Sequence, residues 1–210
     1  MSTQLLASPQ KYPMRTFIAV EIPEYLRDRL SALAGELAAG LAEQNAVSVL
    51  RWTEQRNYHL TLRFLGDTTA AQRQQIGAML EKATADCPPF SLLLDGLGAF
   101  PNWRRMRVLW AGIEGNVQRL SDLQREVEAG VQACGFAVER QGFHPHLTLA
   151  RVSRDAQSGL IAQTGTFLAG QTALAQRLGQ WEVSELVLMR SELRPGDAVY
   201  RVLDRFGLAE

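Results

Sequence analysis

His59-Leu60-Thr61-Leu62 and His146-Leu147-Thr148-Leu149 are the same tetrapeptide, met twice in one chain. The chain has only three histidines, and His144 is the third. At ordinary residue usage, a second histidine followed by the same three residues has a chance on the order of one in a thousand. The repeat therefore needs a cause. Side chains alternate faces along a strand, so the histidine and threonine of each copy point one way and the leucines the other. Each copy anchors itself with leucine and offers an imidazole and a hydroxyl. Two such strands across a groove would present two imidazoles and two hydroxyls to one ligand. That composition suits acid/base work on a phosphate ester.

The flanking sequence extends this into a fold. Residues 15–21 are β-branched and apolar and read as a buried strand. Leu26, Leu30, Leu33, Leu37 and Leu41 give residues 24–43 helical spacing. Residues 47–53 and 58–65 read as strands, the second carrying the first motif. A helix is expected over 69–85, stopped by Pro88-Pro89. Strands follow at 90–97 and 107–113, then a helix over 116–134 closed by Gly135. A short strand is expected at 136–140, and the second motif opens a strand at 146–152. Residues 155–180 fit a helix or loop followed by a polar strand. Residues 181–190 and 199–204 read as a terminal hairpin around Arg194-Pro195-Gly196-Asp197. A helix precedes a strand pair more than once, with one motif strand in each half. The expectation is an α+β fold: a duplicated, bilobal unit with two antiparallel sheets facing a central groove and helices outside. No linker composition separates the halves, so residues 1–210 are expected to form a single domain, with 1–14 as a loose tail.

Bulk properties narrow the classes. An apolar fraction of 46% and a charged fraction of 21% are ordinary for a globular protein. Formal net charge is zero, which argues against sequence-blind binding of long nucleic acid but not against recognising one strand end. Lys11 and Lys82 are the only lysines; arginine, the other basic residue, suits bidentate phosphate contacts. Cys87 and Cys134 form no Cys-x-x-Cys, which speaks against thiolate zinc. The N-terminus lacks the pattern of a signal peptide, and no stretch approaches the roughly 18 apolar residues of a membrane span. A cytoplasmic location is expected.

Imidazole titrates at about 6.5, so a pair can supply a neutral base and a charged acid near neutral pH. Opening a cyclic phosphate needs both, on opposite sides of phosphorus. The threonines can donate hydrogen bonds to the non-bridging oxygens, where charge grows. There is no phosphate loop and no dinucleotide fingerprint. The bland alternative is ordinary strand sequence, and it suits one copy better than two. A three-histidine zinc site from His59, His144 and His146 competes, but it leaves both threonines unexplained.

Several stretches together resemble the 2H phosphoesterase superfamily, and within it the RNA 2′,3′-cyclic phosphodiesterases, historically called 2′-5′ RNA ligases (LigT-like). These are Arg51-Trp52, His59 through Gly66, and Pro145 through Arg151. Arg15-x-Phe17-Ile18-Ala19-Val20, Arg107 through Trp110, and Ser191-x-Leu193 with Gly196 and Tyr200 add weaker support. The resemblance implies catalytic His59 and His146, with Thr61 and Thr148 on the phosphate. It implies hydrolysis of a terminal 2′,3′-cyclic phosphate to a 2′-phosphomonoester, with no metal or other cofactor. In the family picture His59 protonates the departing 3′ oxygen and His146 activates water; the residues themselves do not order the two roles. Arg151 resembles a frequent family arginine on the phosphate. Its odd spacing from His146, however, puts it on the opposite face of an ideal strand. Phe17, Trp52 and Phe143 are candidates to stack on a base, against the alternative of core packing. Arg104, Arg105 and Arg107 flank Trp103 and could steer an RNA backbone; a solvated turn is the commoner explanation. Expected partners are RNA ends bearing the cyclic phosphate, tRNA fragments and short oligonucleotides included. No membrane partner is expected, and the chain should be a monomer. Two rivals remain at this stage: hydrolysis of cyclic phosphates on small nucleotides or ADP-ribose derivatives, and a non-catalytic protein that binds RNA ends. The same site run backwards would be a weak 2′-5′ ligase.

Overall fold

A computed structural model describes residues 13–194 and 197–209. Most of the expected tail therefore lies outside the described residues, as does the Pro195-Gly196 turn. Met14, at the end of the expected tail, already belongs to the first strand.

The order is β1 (Met14–Glu21), α1 (Glu24–Glu43), β2 (Leu50–Trp52), β3 (His59–Thr68), α2 (Ala70–Ala85), β4 (Phe90–Phe100) and β5 (Val108–Gly115). It continues with α3 (Val117–Ala133), β6 (His146–Val152), α4 (Ser158–Ala169), β7 (Gly179–Val183), β8 (Glu185–Arg194) and β9 (Asp197–Gly207). Two sheets form, in the orders β3-β1-β8-β9 and β2-β6-β5-β4-β7. Every pairing is antiparallel. One motif strand lies in each sheet, β3 at the edge of the first and β6 inside the second. The two touch each other across the sheets.

The leucine stripe of α1 is buried from Leu26 to Leu41, as its spacing dictates. Truncating one such leucine, Leu30 for instance, costs about 2–5 kcal/mol. Thr69 starts α2 with a reciprocal cap: its hydroxyl accepts from Gln72 N–H at 3.2 Å, and Gln72 Oε1 accepts from Thr69 N–H at 2.9 Å. One apolar core joins residues of both sheets and all four helices, from Ile18 and Leu188 to Leu147, Ile76, Leu120 and Leu168. A smaller apolar patch lies apart from it, made by Phe17, Ala19, Val187 and Met189 with Tyr200 and Val202 against them.

Three expectations need correction. Residues 136–140 form no strand. Their backbone is bound to side chains instead: Ala137 C=O accepts from Arg63, and Glu139 N–H donates to Glu128 Oε1 at 3.0 Å. Backbone groups engaged in this way are not offered to a neighbouring strand. The strand expected at 47–53 shrinks to 50–52, behind a 3-10 turn at 47–49. The stretch 181–190 is two strands, not one. The chain leaves the five-stranded sheet at Val183, passes Ser184, and enters the four-stranded sheet at Glu185. The sequence marks this crossing only by adjacent Ser184 and Glu185, which end the alternation of Trp181 and Val183 before the apolar run 186–189.

Candidate active site

Each motif strand carries the same irregularity. In β3 the register with β1 slips between Thr61 and Arg63, so Leu62 is bulged. In β6 the register with β5 slips between Thr148 and Ala150, so Leu149 is bulged. A bulge inserts one residue and reverses the facing of everything beyond it. The residue five after each histidine, which an ideal strand would turn away, is thereby returned to the histidine's face. Arg151 gains the groove in this way, and the expectation drawn from ideal alternation is corrected. Phe64 gains it in β3, where sequence reading assigned it no role. Both are exposed, Phe64 by 55%. The residues before them, Arg63 and Ala150, turn into the protein and are buried.

The imidazoles are held alike. His59 Nδ1 lies 2.8 Å from Asn57 C=O, and His146 Nδ1 lies 2.7 Å from His144 C=O. A carbonyl only accepts, so Nδ1 carries the hydrogen in both rings. Nε2 is left in each to take or give a proton. Asn57 is itself fixed, its side-chain N–H donating to Ala198 C=O on β9 at 2.7 Å. His144 contributes its backbone; its own side chain is exposed. Among the described residues, no three His, Cys, Asp or Glu side chains converge as a metal-ligand set.

Aromatic rings enclose both imidazoles. Around His59, Phe17 stands at 4.8 Å and Tyr200 at 5.0 Å, edge-on. Around His146, Phe100 stands edge-on at 5.0 Å and Trp110 at 6.3 Å. Apolar walls disfavour a charged ring. Burial accordingly lowers His59 to about 4, with the positive charges of Arg151 and His146 adding and Glu21 opposing. Burial also lowers His146, and Arg151 and His144 push the same way. Each ring therefore senses Arg151. Glu21 sits directly opposite His59 on β1 and is paired with Arg205 at 2.6 Å.

Thr61 and Thr148 are half-buried, opposite Ala19 and Trp110. A cavity of about 880 Å³ runs past Phe64, Phe100, His144, His146 and Arg151, with Arg105 and Arg107 on its wall. Of the three aromatics first considered for stacking, Phe17 is 1% exposed and forms the wall of His59. Trp52 and Phe143 are half-buried against the core. Phe64 offers the open ring. Its only signal in the sequence is its place, five residues after His59, which acquires meaning once the bulge is known.

The fold is that of a 2H phosphoesterase. The chain belongs to the 2′-5′ RNA ligase superfamily, whose profile matches residues 27–195. It is 33% identical over 195 residues to a protein of Methanothermobacter thermautotrophicus named RNA 2′,3′-cyclic phosphodiesterase, covering 93% of this chain and 99% of that one. A protein of the same name from Archaeoglobus fulgidus is 30% identical over 195 residues, covering 92% and 99%. Among solved structures, E. coli LigT complexed with 3′-AMP superposes with a TM-score of 0.71 at 24% identity, over 94% of this chain and 99% of that one. Among the described residues no helix is long and apolar enough to cross a membrane.

Proposed function

We propose that this protein hydrolyses RNA 2′,3′-cyclic phosphate ends to 2′-phosphomonoesters, with His59 and His146 as the acid/base pair. The observation that carries the reading is the matched setting of the two rings. Each has Nδ1–H bonded to a carbonyl two residues back, and so each has Nε2 left for chemistry. Relatives at 30% identity and above bear the name of this activity.

In this reading the cyclic phosphate sits between the two Nε2 atoms. Neutral His146 draws a proton from water as the water oxygen attacks phosphorus. Protonated His59 gives its proton to the 3′ oxygen as the P–O3′ bond breaks. The 2′ ester bond stays, and both rings end with their proton states exchanged. Thr61 and Thr148 donate to the non-bridging oxygens, and Arg151 supplies positive charge beside them. Burial among apolar walls is what holds His59 low. A bound phosphate brings a negative charge that favours imidazolium and so readies His59 to be the acid. The reverse step, in which a 5′-hydroxyl opens the cycle, uses the same site and gives weak 2′-5′ ligation in competition with water.

The test is product analysis on a dinucleotide ending in a 2′,3′-cyclic phosphate, with and without chelator. A 2′-phosphate alone is expected in both. A 3′-phosphate product would reverse the assignment of the leaving oxygen. Binding without turnover would support a non-catalytic RNA-end binder. Faster turnover of small cyclic nucleotides or ADP-ribose derivatives would shift the substrate class.

A further inference from the structure

The turn between β4 and β5 sets Arg104, Arg105 and Arg107 side by side, all exposed. Arg154, just past β6, comes to the same place. The four line a side cavity of about 480 Å³, to which Ser153 and Ser158 add hydroxyls and no acidic residue contributes. Arg105 and Arg107 also line the catalytic groove beside Arg151. One arginine wall thus serves both spaces.

Two features separate this wall from a solvated turn. The first is charge. Several arginines elsewhere meet carboxylates, as Arg27, Arg63, Arg125 and Arg205 do. Among the described residues, none of Arg104, Arg105, Arg107, Arg151 and Arg154 makes an ion pair, although exposed Asp155 adjoins the last. Arg51 even stands directly opposite Arg151 across β2 and β6, where like charges repel. A chain of zero formal charge has therefore gathered unneutralised cations in one region. The second is rigidity. Asn102 Oδ1 accepts from Arg105 N–H at 3.1 Å, and Arg107 N–H donates to Phe100 C=O at 2.7 Å. Gly165 of α4 lies so close to the turn that a Cβ there would come within 1.8 Å of Trp103 C=O. The backbone that carries these cations is thus already ordered and loses little entropy when the wall binds.

We propose that this wall binds phosphates of the RNA backbone 5′ to the cyclic end, so that the protein prefers strands to mononucleotides and dinucleotides. This rests on the cyclic-phosphodiesterase reading and names the substrate class within it. The terminal phosphate occupies the histidine groove; the next phosphates pass Arg105 and Arg107 and reach the side cavity between Arg104 and Arg154.

The experiment uses the double variant R104Q/R154Q, since neither residue lines the catalytic groove. Its kcat/KM is measured on a cyclic-phosphate dinucleotide and on a longer strand with the same 3′ end, at several salt concentrations. The unsubstituted protein should favour the longer strand about tenfold or more and lose that preference as salt rises. The variant should keep the dinucleotide rate and lose about tenfold on the long strand. Its salt slope there should be shallower by about 1.4, the release from two phosphates. Equal losses on both substrates, or none on either, would overturn the proposal. If the unsubstituted protein turned over neither substrate, the functional reading would fail instead. The wall would then be judged by fluorescence anisotropy with labelled 3′-phosphorylated strands. Affinity that rises with length and is lost in R104Q/R154Q would sustain it; affinity independent of length or of the substitutions would end it.

Discussion

β3 and β6 repeat a tetrapeptide, a bulge and an imidazole–carbonyl bond, and then diverge at two successive positions. Beyond the bulge β3 has Arg63 and Phe64, where β6 has Ala150 and Arg151. The inner residue of each pair is buried and the outer one faces the groove. In the proposed reaction the likeness serves what the chemistry needs in duplicate, two imidazoles, one on each side of the phosphorus. The difference serves what the substrate has only once. An aromatic ring suits a base, and a guanidinium suits a phosphate. On the inner side, Arg63 ties α3 and the 136–140 segment to β3, whereas Ala150 only fills space under β5.

The strongest test of the likeness is loss of either imidazole. His59→Ala and His146→Ala should each lower kcat by about 10² to 10⁴ on a cyclic-phosphate dinucleotide. If the pair acts as a unit, the double variant should lose less than the product of the two. Near-normal turnover in either single variant would break the equivalence of the two strands.

The inner difference should appear in stability. Arg63 Nε donates to Glu128 at 2.6 Å and another of its N–H groups to Phe64 C=O at 2.6 Å, while its side chain is 9% exposed. Arg63→Met strands the Glu128 carboxylate and frees two carbonyls. Urea unfolding should show a loss of about 3–5 kcal/mol, the usual cost of breaking a buried pair from one side. R63M/E128L should recover much of it. If the single change cost under about 1 kcal/mol, the pair would be surface-like.

The outer difference should appear in kinetics. Arg151→Gln should lower kcat/KM about 10- to 100-fold, the worth of a charge-assisted bond to phosphate. It should also move the pH profile to higher pH, because the Arg151 charge lowers both histidines. Phe64→Ala should leave the pH profile in place and raise KM for substrates with a base, by about 1–3 kcal/mol if the ring stacks. Equal effects on an abasic substrate would remove the stacking role.

Much of this could be read from the residues. The repeat named the two histidines and their threonines, and apolar spacing placed α1, the two following helices and most strands. What escaped depends on partners distant in the sequence. Periodicity assumes an unbroken ladder, and a bulge is set by the partner strand. Hence ideal alternation turns Arg151 away from the phosphate that the family resemblance gives it, and it marks Phe64 not at all. Of the two readings weighed for Phe17 the structure shows core packing, although nothing local in the sequence says that Tyr200, from the far end of the chain, closes over it. The break at Ser184 is marked only by two adjacent polar residues, Ser184 and Glu185, with no glycine or proline to signal a change of sheet.

The threonines form the next symmetric pair. Thr61→Val and Thr148→Val keep the shape and the β-branch and remove the hydroxyl. Each should cost about 1–3 kcal/mol in kcat/KM, shared with kcat if the bond strengthens as the non-bridging oxygens gain charge. A loss in one strand only would place the phosphate off the symmetry axis. No loss in either would reduce the threonines to strand formers.

The smallest expected change in rate is also the one that separates the two rings. The kcat/KM profile reports the free protein, and its two limbs belong to the histidine pair. Burial lowers both pKa values, that of His59 to about 4, so both limbs should move to the acid side and the optimum should fall below about 6.5. The kcat profile reports the complex, where the phosphate charge opposes burial, and its optimum should be higher. Coincident optima, or a kcat/KM maximum at neutral pH or above, would mean the groove does not desolvate the rings. Folding provides an independent check with a fixed sign. A histidine depressed in the folded state stabilises nothing below its folded pKa. Its share of stability is complete above the unfolded value of about 6.5 and is lost as pH falls toward 4. For His59 that loss reaches about 3 kcal/mol. His59→Asn should flatten the acid side of the stability curve more than His146→Asn, because His59 is the more enclosed ring. If the two flattened it equally, the apolar patch of Phe17 and Tyr200 would not distinguish them, and the asymmetry of the groove would rest on Phe64 and Arg151 alone.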